Sequence, residues 1–258
     1  MLMPCFPPQK AKGLHAVDTA LFRRLTAELV GTAILCLFGI GAAVSITASG
    51  TGPSGLLIVA LAHGLALAVA IYAFGATSGG HFNPTVTLAL ASRGRFAWRE
   101  VPAYLLAQLL GGILAAALVY AAYAGTAIDS GLGATTFGQD VGFGQALVAE
   151  AIGAFILVTA VFALAVSPTA PKGVAALGIG LALATQIMVF GPLTGASVNL
   201  ARTLGPDTVL SLAGATVAWS QLILYLVAPL IGGLAAAFLH DGVTRRRRAV
   251  PEAATPKA

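Results

Sequence analysis

The stretch TSGGHFNPTVT, which runs from Thr77 to Thr87, decides the fold of this chain. An apolar run stops at its Gly-Gly pair, and the sequence predicts that a helix restarts at Pro84 with Asn83 as its N-cap. Proline suits the first helical position because the N–H that it lacks would have no helical partner there. The flanks are so apolar that this helix start must lie at membrane depth. Non-helical backbone is tolerated there only where it packs in protein or lines water.

The composition predicts an integral membrane protein. Hydrophobic residues make up 58% of the 258 residues and charged residues 9%, whereas a soluble domain carries about 25% charged residues. The net charge of +5 does not indicate a nucleic-acid partner, because the basic residues lie at the ends of apolar runs. Cys5 and Cys36 are far apart in the sequence, so neither a disulfide framework nor a metal site is predicted.

Six apolar stretches approach the length of about 20 residues that spans a bilayer as a helix. They are Leu25–Ser45, Leu56–Phe74, Val101–Ala121, Ala146–Val166, Val174–Phe190 and Val217–Leu239. Two shorter apolar pieces, Pro84–Ala91 and Leu200–Leu204 with the residues just after it, cannot span and are predicted to be half-helices or loops. We therefore expect a channel-like domain over residues 21–240, with halves of about 21–125 and 143–240, between tails at 1–20 and 241–258.

The basic residues predict the orientation of these spans in the membrane. The connections on one side carry Arg23, Arg24, Arg93, Arg95, Arg99, Lys172 and Arg245–Arg248. By the positive-inside rule, that side and both tails are cytoplasmic. The opposite connections carry Asp129, Asp140 and Asp207, and Arg202 is their one basic residue.

An internal repeat relates the two halves of the chain. GLALAV at Gly64–Val69 returns as GLALAT at Gly180–Thr185, and Asn83 returns as Asn199, both at an offset of 116. AELVGTAIL at Ala27–Leu35 returns as AEAIGAFIL at an offset of 122, and YLLAQLLGGILAAAL at Tyr104–Leu118 returns as YLVAPLIGGLAAAFL at an offset of 121. Since each half has three spans, the second half enters the membrane from the opposite side, which gives an inverted repeat. The two half-helices are then predicted to meet near the middle with their N-termini together.

These motifs together resemble the major intrinsic proteins, the aquaporins and glycerol facilitators. The resemblance rests on SGGHFNPTVT and TGASVNLART, on the AE…G starts of the first and fourth spans, and on the repeat, and it covers Ala27 to about Leu239. It implies an all-α membrane fold of six transmembrane helices and two re-entrant half-helices, with one pore per subunit in a homotetramer. The chain departs from the usual Asn-Pro-Ala triplets, which here read Asn83-Pro84-Thr85 and Asn199-Leu200-Ala201.

Asn83 and Asn199 are the central candidates for the pore. Each is expected to cap its half-helix and to direct its side-chain amide into the lumen as a hydrogen-bond donor. The alternative is that both only cap buried helices. Extended segments before each asparagine should line the water path with backbone carbonyls, because unpaired carbonyls in hydrocarbon are costly. These segments contain Gly79, Gly80, His81 and Phe82 in the first half and Gly195, Ala196 and Ser197 in the second.

Further candidates are charged or polar residues within or near the spans. An arginine near membrane depth is a candidate functional residue because it is costly there, and the resemblance implies that Arg202 belongs to an outer selectivity filter. Carried over by spacing, the other filter positions are His63, Ile187 and Ala196, a set similar to tonoplast-type plant aquaporins. Matched carboxylates are also predicted in the first and fourth spans, as acceptors for the loop backbones that hold the half-helices; they are Glu28 and Glu150.

The sequence predicts a passive channel that excludes ions and conducts water and small neutral solutes such as ammonia, urea, hydrogen peroxide or glycerol. No nucleotide motif, nucleophile–base pair, cofactor motif or metal-ligand cluster is recognisable, so neither an enzyme nor a cofactor is expected. A glycerol-facilitator-type channel with little water flux and a coupled transporter are the alternatives. The expected partners are the permeant molecules, the lipid bilayer and further copies of the chain, and the expected location is the plasma membrane.

Overall fold

The computed structural model describes residues 14–171 and 173–244. Within these ranges the chain forms nine α-helices and no β-strand, and six of the helices are long and apolar enough to span a membrane. This confirms the predicted all-α fold with six spans. The helices are α1 (Leu14–Ser49), α2 (Gly55–Ser78), α3 (Pro84–Ser92), α4 (Val101–Tyr123), α5 (Gly125–Asp129), α6 (Phe143–Val161), α7 (Ala175–Thr194), α8 (Leu200–Leu212) and α9 (Leu222–Thr244).

The observed bounds of several elements differ from those read off the apolar runs. Helix α1 begins at Leu14, so residues 14–20, predicted as part of a tail, are helical, and α9 likewise runs to Thr244. Helix α9 begins at Leu222 rather than Val217, because a 3-10 turn at Trp219–Gln221 precedes it. Four features discussed in the sequence analysis lie outside the described residues: Cys5, Lys172, Arg245–Arg248 and most of the two predicted tails.

Helices α2 and α7 cross through a pair of glycines that the repeat relates. A Cβ atom added at Gly64 would overlap the carbonyl oxygen of Gly180, and one added at Gly180 would overlap the carbonyl oxygen of Gly64. Small residues are favoured at such crossings because they let the backbones approach. The two halves of the chain therefore contact each other through equivalent faces, as the inverted repeat predicts.

Ion pairs bring several of the predicted cytoplasmic arginines to one end of the bundle. Arg24 pairs with Glu100 at 2.6 Å and also donates to the Tyr104 hydroxyl at 2.9 Å, which joins α1 to the start of α4. Arg93 pairs with Asp241 at 2.9 Å, which joins the end of α3 to the end of α9. Arg24 of α1 and Arg93, which follows α3, are thus both held at one end of the bundle by acidic partners.

We expect Gly180→Val to destabilise the fold by about 1–3 kcal/mol, because its side chain would force α2 and α7 apart. Thermal unfolding of the purified protein measures the effect. The matched control is Gly144→Ala in α6, where an added Cβ meets no atom within 4 Å. Equal unfolding temperatures for the two variants would contradict the close α2–α7 crossing.

Candidate pore and selectivity filter

The two half-helices are capped by the two predicted asparagines. The Asn83 side-chain oxygen accepts from the Thr85 N–H at 2.8 Å, and the Asn199 side-chain oxygen accepts from the Ala201 N–H at 3.0 Å. Helix α8 begins at Leu200, so the second half-helix forms without the proline that starts α3. An asparagine side chain supplies the cap in both cases, and this cap does not depend on the residue that follows.

Each asparagine amide also crosses to the loop of the other half. The Asn83 amide nitrogen donates to the Val198 carbonyl at 2.9 Å, and the Asn199 amide nitrogen donates to the Phe82 carbonyl at 2.9 Å. One N–H of each amide is therefore used within the protein, which differs from the expectation that both face the lumen. The second N–H of each amide remains for a permeant molecule.

Thr85 occupies the third position of the first triplet, where alanine is usual in the family that the chain resembles. Its methyl group lies against Gly233 of α9, where an added Cβ would approach it to 2.6 Å. Its hydroxyl forms no hydrogen bond to any residue in the described part of the chain. The extra methyl is accommodated because α9 carries glycine at the contact.

Glu28 holds the loop that leads to Asn83. Its Oε1 accepts from the Ser78 hydroxyl at 2.7 Å and from the His81 N–H at 3.0 Å. Its Oε2 accepts from the Phe82 N–H at 2.8 Å and from the Gln108 amide at 2.7 Å. The carboxylate is fully buried. It accepts hydrogen bonds from two consecutive loop N–H groups, which lie outside any helix and have no helical carbonyl to bond.

Glu150 holds the second loop in the same way. Its Oε1 accepts from the Thr194 hydroxyl at 2.7 Å and from the Ser197 N–H at 2.8 Å. Its Oε2 accepts from the Val198 N–H at 2.7 Å. These contacts match those of Glu28 residue by residue at the repeat offset, so the two carboxylates bind equivalent loop atoms.

A narrow cavity lies where the two half-helices meet. Fifteen residues line it, and twelve of them form six pairs related by the repeat offset of 116 or 122. The pairs are Leu35 with Leu157, His63 with Ile179, Leu67 with Leu183, His81 with Ser197, Asn83 with Asn199, and Val86 with Arg202; the remaining three are Ile71, Gly80 and Val161. The cavity wall therefore follows the inverted repeat, with the asparagine pair among its polar members.

Arg202 and His63, two of the predicted filter residues, both line this cavity. The Arg202 guanidinium is 5% exposed and donates to the Gly133 carbonyl at 2.8 Å. The Nδ1 of His63 lies 2.9 Å from the Val59 carbonyl, and its Nε2 is buried without a protein partner. The ring packs against Gly39, where an added Cβ would overlap it. A buried imidazole nitrogen and a held guanidinium thus face the same space.

Ile187 and Ala196, the other two predicted filter residues, are buried but do not line the cavity. The Ala196 carbonyl accepts from the Gln186 amide at 3.0 Å. Phe82 and Ala196 were both expected to offer unpaired carbonyls to water, but each carbonyl has a protein donor. Of the predicted carbonyl segments, the residues that line the cavity are Gly80, His81 and Ser197, and those that do not are Gly79, Phe82, Gly195 and Ala196.

Comparison with known proteins identifies the family. The model of the major intrinsic proteins matches residues 15–240. The chain belongs to the major intrinsic protein family. This membership confirms the resemblance drawn from the two signature triplets and the repeat.

Named members of the major intrinsic protein family are similar to the chain over most of its length. It is 41% identical to the probable aquaporin AqpM of Archaeoglobus fulgidus over 239 residues, which cover 86% of this chain and 96% of that protein. It is 38% identical to aquaporin AqpM of Methanothermobacter thermautotrophicus over 243 residues, 87% and 98% of the two chains. The solved aquaglyceroporin of Plasmodium falciparum superposes with a TM-score of 0.77 at 27% identity, covering 86% of this chain and 96% of that one.

Several contacts in this major intrinsic protein were missed by the sequence analysis. The Gly133 carbonyl that holds Arg202 follows Leu132, whose positive φ of 47° turns the loop inward. Gln108 donates to the Glu28 carboxylate and Gln186 to the Ala196 carbonyl; the two glutamines occupy unrelated repeat positions, so the repeat did not indicate them. Tyr104 and Tyr225 could have been found, because they are a repeat pair whose hydroxyls donate to the equivalent Ser78 and Thr194 carbonyls.

We expect Glu150→Gln to lower the free energy of unfolding by about 3 kcal/mol. Three donors would compete for one amide oxygen, and the new NH₂ group would face N–H groups that cannot accept from it. Chemical or thermal unfolding in detergent measures this loss. The control is Asp129→Asn at an exposed carboxylate; a loss no larger than the control's would contradict the role of Glu150 as loop acceptor.

Proposed function

We propose that the chain is a passive transmembrane channel for water and small neutral solutes. The observation that carries this proposal is the meeting of two capped half-helices beside a cavity, with each asparagine amide bonded to the opposite loop. The names of the relatives, aquaporin and aquaglyceroporin, support the same class of function. Reciprocal bonds of this kind favour a fixed channel over a coupled transporter, which needs a site that alternates between two sides.

Ion exclusion in this channel would come from the half-helix N-termini. Each helix end carries the equivalent of roughly half a positive charge, and the two ends meet at the asparagine pair. A cation there meets positive potential from both halves, whereas water can accept the remaining amide N–H of each asparagine. Water would thus cross the centre by exchanging hydrogen bonds with Asn83 and Asn199, next to leucine side chains that offer none.

The outer filter would consist of Arg202 and His63, which supply donors to a permeant molecule. Ile187 and Ala196 are buried beside this filter without lining the cavity, so no large or polar side chain from these two positions narrows it. We expect a filter wide enough for solutes beyond water, with ammonia, urea, hydrogen peroxide and glycerol as candidates. The similarity to an aquaglyceroporin structure supports testing glycerol in particular. A glycerol channel with little water flux is the second candidate.

Assembly and orientation are part of this proposal. The arginines that share one end of the bundle, Arg24, Arg93 and Arg95, favour that end as the cytoplasmic one. Both termini would then be cytoplasmic and the protein would lie in the plasma membrane. The family resemblance supports a homotetramer with one pore in each subunit. Native mass spectrometry of the detergent-solubilised protein tests the assembly.

Stopped-flow light scattering of liposomes that contain the purified protein tests the function. Vesicles are exposed in parallel to an impermeant osmolyte, glycerol, urea and an ammonium gradient. Faster osmotic shrinkage than in empty vesicles, with a low activation energy, is the expected result. Solute uptake without faster water flux would favour the glycerol-channel alternative, and no acceleration of any flux would refute the channel.

We expect Arg202→Val to raise the permeability to urea and glycerol several-fold and to admit small cations. The change removes a fixed positive charge and a large side chain from the filter. The same stopped-flow assay, together with a proton or potassium flux assay, measures both effects. Arg99→Val, at an exposed arginine outside the cavity, is the control; identical selectivity in the two variants would remove Arg202 from the filter.

A further inference from the structure

The inverted repeat gives the outer filter a counterpart at the other end of the cavity. Adding or subtracting the repeat offset takes each outer position to an inner one. His63 corresponds to Ile179, Arg202 to Val86, Ile187 to Ile71 and Ala196 to Gly80, and Gly39, against which the His63 ring packs, corresponds to Val161. All five counterparts line the cavity. We call the four aliphatic ones, Ile71, Val86, Val161 and Ile179, the inner collar.

The inner collar is a packed aliphatic surface. Val86, Val161 and Ile179 are 3%, 6% and 4% exposed and belong to one hydrophobic cluster, against which Ile71 packs. Ile71 also lies beside the loop backbone, since a Cβ added at Gly80 would be 3.6 Å from its Cγ1. The four side chains come from four elements, α2, α3, α6 and α7, so they converge from different sides of the cavity.

His81 also lines the cavity, and its side chain is held in place by neighbouring residues. Its Nδ1 lies 3.1 Å from the Thr87 hydroxyl, and its ring packs against Phe96 and Tyr104 with centroids at 4.9 Å and 5.2 Å. The imidazole can meet a permeant molecule as it passes, but it cannot swing across the collar without losing these contacts. Hydrogen bonds for a molecule at the collar can therefore come from His81 and the Gly80 backbone, but not from the four aliphatic side chains.

The outer filter and the inner collar differ most clearly at Gly39 and its repeat counterpart Val161. Gly39 leaves the space that the His63 ring fills, so the outer end carries an imidazole and a guanidinium. In the inner collar, Val161 stands at the repeat position of Gly39, and Ile179 stands at the repeat position of His63. The same backbone positions therefore present donors at one end and only methyl groups at the other.

We propose that the inner collar is a second selectivity barrier, which discriminates by hydrogen-bonding capacity rather than by charge. This inference rests on the proposed channel function. A solute at the collar must give up hydrogen bonds that aliphatic side chains cannot replace, and the cost rises with its number of polar groups. Water and ammonia lose few such bonds, whereas urea and glycerol lose more. The collar therefore limits urea and glycerol even where the outer filter admits them.

Val161→Thr and Val86→Thr test the collar, because threonine adds a hydroxyl with almost no change in shape. Each variant is reconstituted beside the wild type, and glycerol, urea and water fluxes are measured on the same vesicles. We expect the glycerol-to-water and urea-to-water flux ratios to rise at least about threefold. Val158→Thr is the matched control, since Val158 is buried in the same helix as Val161 but does not line the cavity.

The wild-type arm separates this inference from the proposed function. Wild-type vesicles in which no flux is faster than in empty ones would overturn both the channel and the collar. Solute uptake without faster water flux would overturn the collar and favour the glycerol-channel alternative. Wild-type conduction with unchanged flux ratios in both threonine variants would overturn the collar alone. A rise as large in Val158→Thr would also overturn it, because the effect would then not come from the cavity wall. Size-exclusion profiles that match the wild type establish that each variant is folded.

Discussion

The structure depends on how the chain satisfies two stretches of extended backbone at membrane depth. The N–H groups of these loops have no partners within a helix, and the hydrocarbon around the bundle offers no hydrogen-bond acceptor. Glu28 and Glu150 each accept two consecutive loop N–H groups. Val198 illustrates how strongly the loop is fixed: a β-branched residue holds a positive φ of 48° while its N–H and its carbonyl are both bonded. Its repeat mate Phe82 has the same φ and the same kinds of bond.

The fixed loops position the N-termini of the half-helices α3 and α8. The repeat then gives the two halves equivalent side chains at the centre of the cavity, whereas the outer filter and the inner collar carry different side chains. At the centre, the asparagine and leucine pairs are conserved between the halves of this chain. Each half also uses a glutamine, but at a different place. Gln108 donates to Glu28, the carboxylate that holds the first loop, and its repeat position carries Pro229; Gln186 donates to the Ala196 carbonyl of the second loop, and its repeat position carries Ala70. The backbone plan is symmetric, and individual side chains break the symmetry.

The sequence predicted the features that depend on regular physical patterns. Apolar runs of spanning length gave the six spans, the Asn-Pro start gave α3, and the repeat carried that assignment to α8, where the proline is missing. Symmetry also indicated Glu28 and Glu150 as a pair, since a lone buried carboxylate would not have suggested a scaffold. Boundaries were less accurate, because helices α1 and α9 continue beyond the apolar segments that membrane thickness requires.

The features that escaped the sequence depend on rotation about a helix and on loop conformation rather than on spacing. A spacing of 12 residues before Asn199 fixes where Ile187 lies along α7, but not whether its side chain lines the cavity between the half-helices; Ile187 is not among the lining residues, and its place in the filter stays a prediction. The loop that gives Arg202 its acceptor turns inward at Leu132, a residue type that does not predict a positive φ. The outer end of the pore is thus shaped by non-repeated parts of the chain, while the inner end keeps aliphatic residues at the repeated positions. A channel built from two copies of one unit can in this way acquire two chemically different ends without changing its backbone plan.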